Sequence, residues 1–113
     1  MHELTLVMGL LEIFEDRAKK DRFVRIQRVV LEVGELSGVS IPALRFSFDV
    51  AMKGTVAEGA ELDIREPPGT GWCFSCERTV FLRDPFRTCP DCGRRAVVQA
   101  GGTEFRIVEM MVV

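Results

Sequence analysis

The sequence predicts an α+β fold: a small sheet of about three strands with two helices, plus a four-cysteine zinc-ribbon-like module. This prediction rests on two segments with apolar residues at helical spacing, three segments rich in β-branched residues, and two neighbouring C-x2-C pairs. A length of 113 residues, with 47% hydrophobic and 28% charged residues, suits an ordered globular domain or a small domain with an appendage.

The overall charge and the apolar pattern exclude several classes of protein. A formal net charge of −2 argues against general nucleic-acid binding, which usually shows a basic surface. No apolar run reaches the length that spans a membrane. The first residues include the acidic Glu3 and lack the basic region of a signal peptide. We therefore expect a cytoplasmic protein with neither nucleic acid nor a membrane as its partner.

The first two predicted elements are a helix over residues 4–19 and a strand within residues 23–34. The helix carries apolar residues at helical spacing: Leu4, Val7, Met8, Leu11 and Phe14. Lys19 and Lys20 lie near its C-terminal end, where the helix dipole favours positive charge. The strand is rich in Val and Ile and stops at Gly34.

A second helix and two more strands complete the predicted α+β domain. Ser40 is a suitable N-cap and Pro42 fits the first turn, so the helix begins there and ends near Gly54. Residues 60–66, AELDIRE, alternate as a strand does. Residues 103–113, TEFRIVEMMVV, form the last predicted strand, which we expect to return to the sheet of the first domain.

All four cysteines lie in one stretch, as two C-x2-C pairs with twelve residues between them: Cys73, Cys76, Cys89 and Cys92. Each such pair directs two sulfurs toward one point, so the pattern predicts a tetrahedral zinc site. A redox pair or two disulfides are the alternatives, and the spacing without a leftover cysteine favours zinc. Four thiolates leave no open coordination position, so this zinc is expected to be structural and not catalytic.

The zinc module has recognisable boundaries. Residues 67–69, Pro-Pro-Gly, interrupt the preceding strand pattern, and two glycines at 101–102 precede the last strand. We therefore predict an α+β domain made of 1–66 plus 101–113, and a zinc-binding module over 67–100. A module of this size buries too little core to fold unaided, so the metal is expected to hold it together.

The chain shows no enzyme site, and its only histidine, His2, lies next to the terminus. A lone terminal histidine most often has no function, because chain ends are commonly mobile. The start Met1-His2-Glu3 nevertheless offers nitrogen donors: the α-amine, the His2 amide and imidazole, and the Glu3 amide. A nitrogen-rich square-planar set favours Ni(II) or Cu(II). The first amides of a helix also have no partner inside the helix.

The order of these motifs resembles the HypA family, the nickel metallochaperones of nickel–iron hydrogenase maturation. The resemblance covers nearly the whole chain: MHE at the start, GELSGVSIPALRFSFDVAMKGT, AELDI, C-x2-C-x12-C-x2-C and GGTEFRIVEMMVV. It implies that His2 is the main ligand of transiently bound Ni(II), helped by the Met1 amine and nearby amides, and that Glu3 belongs to the nickel motif. It implies structural Zn(II) at the four cysteines. It also implies a HypB-type GTPase partner, delivery to the hydrogenase large subunit, and in some bacteria delivery toward urease.

Two departures from the family and two rival functions stay open. Some members carry an acid near position 40, where this chain has Ser40, and some carry a second histidine in the zinc module, where this chain has none. One rival is a zinc-ribbon adaptor without a nickel role, which binds protein or nucleic acid through a basic cluster: Arg78, Arg83, Arg87, Arg94 and Arg95. The other rival is a thiol oxidoreductase, which requires labile zinc and reactive thiolates.

Overall fold

A computed structural model describes residues 2–83 and 86–113 of the chain. In this part, the helices are α1 (Glu3–Asp21) and α2 (Ile41–Ala51). The strands are β1 (Ile26–Val33), β2 (Glu61–Arg65), β3 (Thr70–Cys73), β4 (Arg78–Phe81), β5 (Val97–Gly101) and β6 (Phe105–Val112). The chain divides into two compact units, the first made of Met1–Leu31, Val39–Asp63 and Ile107–Val113, the second of Glu32–Gly38 and Ile64–Arg106.

The first unit is built around both helices. They pack against each other through an edge-to-face contact of Phe14 and Phe48, whose ring centroids are 6.4 Å apart. A three-stranded sheet has the order β2-β1-β6, so the last strand of the chain lies beside β1 as the sequence predicts. The predicted fold class, two helices with a small three-stranded sheet, is therefore confirmed.

The apolar face of α1 is narrower than its sequence spacing predicts. Val7, Leu10 and Phe14 are buried, whereas Leu4 is 55% exposed and Met8 is 50% exposed. A single stripe of apolar residues at i, i+3 and i+7 is enough to cover the contact where one other helix packs against α1. The residues that flank this stripe stay in solvent. Leu4 and Met8 have helical spacing in the sequence, but the structure leaves both half exposed or more.

The start of α2 follows the sequence prediction closely. Ser40 is the N-cap, with extended backbone angles, and its hydroxyl accepts a hydrogen bond from the Ala43 amide at 3.4 Å. Pro42 lies in the first turn, where its missing N–H costs no hydrogen bond. The helix ends at Ala51, three residues before Gly54, and Met52 is its C-cap.

The second unit contains a sheet that the sequence does not predict. Its strands have the order β4-β3-β5 and are antiparallel, with Cys73 opposite both Arg78 and Val97. Gly71 permits the close packing of this sheet, since a Cβ there would lie 2.5 Å from the Val97 Cγ1 atom. The strands are only four or five residues long, which leaves too few alternating positions for a sequence signal.

Residues 32–38 belong to the second unit, although the sequence analysis places them with the α+β domain. The Leu36 side chain packs against the core of this unit, and its amide donates to the Gly102 carbonyl at 2.6 Å. The predicted boundaries, 1–66 plus 101–113 for the α+β domain and 67–100 for the zinc-binding module, stay a prediction.

Candidate metal centres

The four cysteines converge on one point in the second unit. Their sulfur atoms all lie within 4.8 Å of one another, in a group formed by Cys73, Cys76, Cys89 and Cys92. Cys73 is the last residue of β3, and Cys76 follows it across a tight turn. Cys89 and Cys92 come from the loop between β4 and β5, so the site joins two segments that are distant in sequence.

The separation of the sulfur atoms fits a tetrahedral zinc ion. The Cys73 and Cys92 sulfurs are 3.7 Å apart, and the Cys76 and Cys89 sulfurs are 3.8 Å apart. Four sulfurs at about 2.3 Å from one zinc ion occupy tetrahedral corners about 3.8 Å apart. A disulfide requires about 2.05 Å, and all four cysteines are free. The donor set therefore fits zinc and excludes the two-disulfide alternative in this conformation.

The two turns that carry the cysteine pairs use the same backbone device. Gly93, after the second pair, has φ of 73°, and its amide donates to the Cys89 carbonyl at 2.9 Å. Glu77 occupies the equivalent position after the first pair with φ of 52°. The left-handed region is disfavoured for a residue with a Cβ, so the first turn keeps a strained conformation that metal ligation can stabilise.

Part of the metal site lies inside the small core of the second unit. Cys73 and Cys89 are almost fully buried and share this core with three aliphatic side chains: Val80, Leu82 and Val97. Cys76 is half-buried and Cys92 is exposed. The same cluster therefore supplies metal ligands and apolar packing, which ties the structure of the unit to its metal.

Hydrogen bonds within the cluster shift the pKa values of two thiols, Cys76 and Cys89, in opposite directions. The hydrogen bond with Cys92, together with burial, raises the pKa of Cys76 to about 12. The backbone amide of Cys92 donates to Cys89 and lowers the pKa of that thiol to about 7. Cys89 is therefore more acidic than Cys76. A metal that binds all four sulfurs as thiolates must displace the protons of the thiols.

The predicted nickel residue His2 is exposed and forms the N-cap of α1. Its carbonyl accepts hydrogen bonds from the amides of Thr5 and Leu6, at 3.1 and 3.3 Å. Its imidazole makes no capping hydrogen bond, so its ring nitrogens are available to solvent. Met1, the other predicted nickel donor, lies outside the described residues.

The Glu3 side chain contacts a residue that is distant in sequence. Its Oε2 atom accepts a hydrogen bond from the Ser40 backbone amide at 3.1 Å, which holds the pKa of the Glu3 carboxyl below its ordinary value. The first residue of α1 is thereby attached to the N-cap of α2. The predicted N-terminus of α2 at Ser40 was a sequence signal for this contact, because the free amides and the dipole at a helix N-terminus attract a carboxylate.

The fold and the four-thiol site define a class of protein: a small α+β metal-binding protein with a zinc-ribbon-like unit. Comparison of sequences identifies the member of this class more closely. The chain belongs to the HypA family, described as "Hydrogenase/urease nickel incorporation, metallochaperone", and the family's sequence model matches residues 1–112.

Individual proteins similar to this chain are also named HypA. The chain is 45% identical to a hydrogenase maturation factor HypA of Albidiferax ferrireducens over 112 residues, which cover 99% of both proteins. It is 46% identical to the HypA of an Azoarcus species over 110 residues, covering 97% of this chain and 96% of the relative. The solution structure of the Ni metallochaperone HypA from Helicobacter pylori is similar with a TM-score of 0.70 and 26% identity, covering 100% of this chain and 98% of that one.

Among the residues that the structure describes, neither helix is long and apolar enough to cross a bilayer.

Proposed function

We propose that this protein is a nickel-binding metallochaperone that delivers Ni(II) during maturation of nickel–iron hydrogenase. The observation that carries the proposal is the exposed His2 at the start of α1, in a chain whose four thiols all converge on a separate site. His2 is the only histidine in the sequence, so its imidazole is the one histidine side chain that a second metal can use.

The proposed nickel ligands are nitrogen atoms at the terminus. The Met1 amine and the His2 amide close a five-membered chelate ring, and the His2 amide with Nδ1 closes a six-membered ring. The Glu3 amide is the next candidate donor, because the first amides of a helix lack an acceptor inside the helix. Such a set suits Ni(II) in square-planar geometry.

The proposed role of the Glu3 side chain differs from that of its amide. Its carboxylate is already engaged with the Ser40 amide at 3.1 Å, so we assign it to holding the terminus in place. Ser40 has no carboxylate of its own and uses its hydroxyl to cap α2. The absence of an acid at position 40 supports a compact nickel site formed by the terminus.

The mechanism we propose is metal transfer, so the protein is not an enzyme. A site made of successive donors at a chain end can release nickel one donor at a time to a recipient. The zinc at the four cysteines is proposed to be structural, because four thiolates complete its coordination. Proposed partners are a HypB-type GTPase, the hydrogenase large subunit and, in some bacteria, urease maturation proteins. The free thiols suit the cytoplasm, which keeps cysteines reduced.

The test is titration of nickel into the zinc-loaded, untagged protein by calorimetry. We expect loss of nickel binding in His2→Ala and in a variant with one extra residue before Met1, with zinc content unchanged in both. Thr5→Ala is the matched control, since it alters an exposed side chain in the same turn and removes no proposed donor. Unchanged nickel affinity in both His2→Ala and the extended variant would end the proposal.

A further inference from the structure

The four cysteines of the metal site differ in their access to solvent. Cys73 is 0% exposed and Cys89 is 1% exposed, whereas Cys76 is half-buried. Cys92 is the one exposed residue of the four. Cysteine oxidation is selective for accessible thiolates, and zinc holds its cysteine ligands in the thiolate form. In the zinc-loaded protein, Cys92 is therefore the ligand most open to a dissolved oxidant.

A second cysteine lies close enough to react with an oxidised Cys92. The Cys73 and Cys92 sulfurs are 3.7 Å apart, and the Cys76 and Cys89 sulfurs are 3.8 Å apart. Both contacts join the first C-x2-C pair to the second. A disulfide requires sulfurs about 2.05 Å apart, so a small movement of the exposed turn around Cys92 brings it into bonding distance of Cys73.

An ion pair holds this exposed turn against the strands that carry the first cysteine pair. Asp91, which precedes Cys92 in the chain, pairs with Arg78. Arg78 begins β4 and lies directly opposite Cys73 in the pairing of β3 with β4. The ion pair therefore favours a position of Cys92 beside Cys73. It contains no metal ligand, so loss of the metal does not by itself remove it.

From these observations we propose that Cys92 is an oxidation site for hydroperoxides, and that its oxidation leads to a Cys73–Cys92 disulfide and to release of zinc. This oxidation requires zinc at the four cysteines and does not depend on nickel at His2. In the first step the Cys92 thiolate attacks the terminal oxygen of the hydroperoxide. The O–O bond breaks, an S–O bond forms, and the alkoxide leaves and takes a proton from water. Cys92 is then a sulfenic acid.

In the second step the Cys73 thiolate attacks the sulfur of the Cys92 sulfenic acid. The S–S bond forms, the S–O bond breaks, and the hydroxide that leaves takes up a proton to become water. Two thiolates have together lost two electrons, and the hydroperoxide has been reduced to an alcohol and water. Only Cys76 and Cys89 remain as thiolate ligands, so the affinity for zinc falls.

The pairing of the cysteines decides whether the second unit can recover. A Cys73–Cys92 disulfide links the two cysteine turns covalently, so Cys76 and Cys89 stay near each other after zinc has left. A disulfide within one C-x2-C pair would leave the two turns unconnected. We expect a thiol reductant to reopen the link by thiol–disulfide exchange and to restore the site. Transient disulfides of this kind are typical of redox sensing in a reducing compartment.

The test exposes the zinc-loaded full chain to about one equivalent of tert-butyl hydroperoxide, with a chromogenic chelator reporting released zinc. Remaining thiols are then alkylated, and the protein is digested with trypsin. Cleavage after arginine places the first cysteine pair in residues 66–78 and the second pair in residues 88–94. A disulfide between the pairs links these two peptides, whereas a disulfide within a pair leaves them separate. Fragmentation of the linked peptides in the mass spectrometer assigns the two cysteines.

The expected product is a linked peptide that joins Cys73 to Cys92, with release of about one zinc ion for each hydroperoxide consumed. Dimedone, which traps sulfenic acids, is expected to label Cys92 when it is present during oxidation. Addition of a thiol reductant and zinc is expected to restore the unlinked, zinc-loaded protein.

A matched pair of variants tests the role of Cys92. Cys92→Ser is expected to release zinc at least about tenfold more slowly than wild type in the presence of the hydroperoxide. Ser75→Ala, at an exposed position of the other cysteine turn, is expected to keep the wild-type rate. Zinc content is measured before oxidation, and the dimedone label on the wild-type protein decides the role of Cys92 if Cys92→Ser fails to hold zinc.

Four outcomes would overturn the proposal. Separate tryptic peptides with internal disulfides would show that the pairs do not react with each other. A dimedone label on Cys76 and not on Cys92 would move the oxidation to another ligand. Full retention of zinc after the link forms would separate the disulfide from metal release. A disulfide-linked dimer would show that the oxidised Cys92 reacts with a second copy of the chain instead of Cys73.

Discussion

Removal of zinc is expected to unfold the second unit and to leave the first unit folded. The core of the second unit contains three buried aliphatic side chains, Val80, Leu82 and Val97, each at most 5% exposed. Their burial contributes about 5–9 kcal/mol in total, at about 1.5–3 kcal/mol for each side chain. Binding of a structural zinc contributes about 10–16 kcal/mol, so its loss removes more than this core supplies.

Two spectroscopic signals separate the units in this experiment. Trp72 reports on the second unit, and the helical circular dichroism reports on the first unit, which contains α1 and α2. On chelation of zinc we expect the Trp72 emission to move to longer wavelength while most of the helical signal remains. Return of one equivalent of zinc is expected to restore the emission.

A ligand variant and a matched control complete this test. Cys73→Ser is expected to reproduce the spectrum of the chelated protein, because it removes a buried ligand. Ser75→Ala lies in the same turn, removes no sulfur, and is expected to keep zinc. If the helical signal is lost together with the Trp72 shift, or if the shift does not occur in metal-free protein, the reasoning is refuted.

Two further predictions concern the first unit. Glu3→Gln is expected to lower the melting temperature at neutral pH, because it removes the charged acceptor of the Ser40 amide. This contact lowers the pKa of the Glu3 carboxyl, so the difference in melting temperature from wild type is present above about pH 4.5 and disappears as the pH falls through the lowered pKa. A difference that persists in acid would contradict this. Phe48→Ala removes a ring packed on Phe14 and is expected to cost about 3–5 kcal/mol in urea unfolding, whereas Phe46→Ala, at a position 72% exposed, costs less than about 0.5 kcal/mol. Equal costs for the two variants would contradict the assigned core.

The elements of the first unit were predictable because their signals are local. Ser40 as the N-cap of α2 follows from the preference of a serine hydroxyl for an amide of the first helical turn. The strand that ends near Gly34 follows from its β-branched residues. The buried stripe of α1 was predicted less well, since spacing alone does not say how wide a face the neighbouring elements cover. Met8 fits the stripe by spacing and is nevertheless half exposed.

The strands of the second unit were not predictable from local signals in the sequence. Its strands are short, and its aromatic residues Trp72 and Phe81 point away from the core, so apolar residues occur on both faces of the sheet and the usual alternation of buried apolar and exposed polar residues is absent. Metal ligation at the four cysteines would allow this arrangement, because the unit would then not rely on large apolar side chains alone for its stability. The two C-x2-C pairs are therefore evident in the sequence, whereas the short strands around them are not.

The sequence by itself determined the fold class and the grouping of the four cysteines into one metal site. It also singled out His2, the only histidine, as the candidate metal ligand at the terminus. Spacing and residue type suffice for these, because a C-x2-C turn and a helix cap are made by residues close together in the chain. Only the tertiary structure decided that the Glu3 carboxylate meets the Ser40 amide and that Trp72 and Phe81 share one open face. Both depend on segments that only folding brings side by side, and no local preference of the chain encodes them.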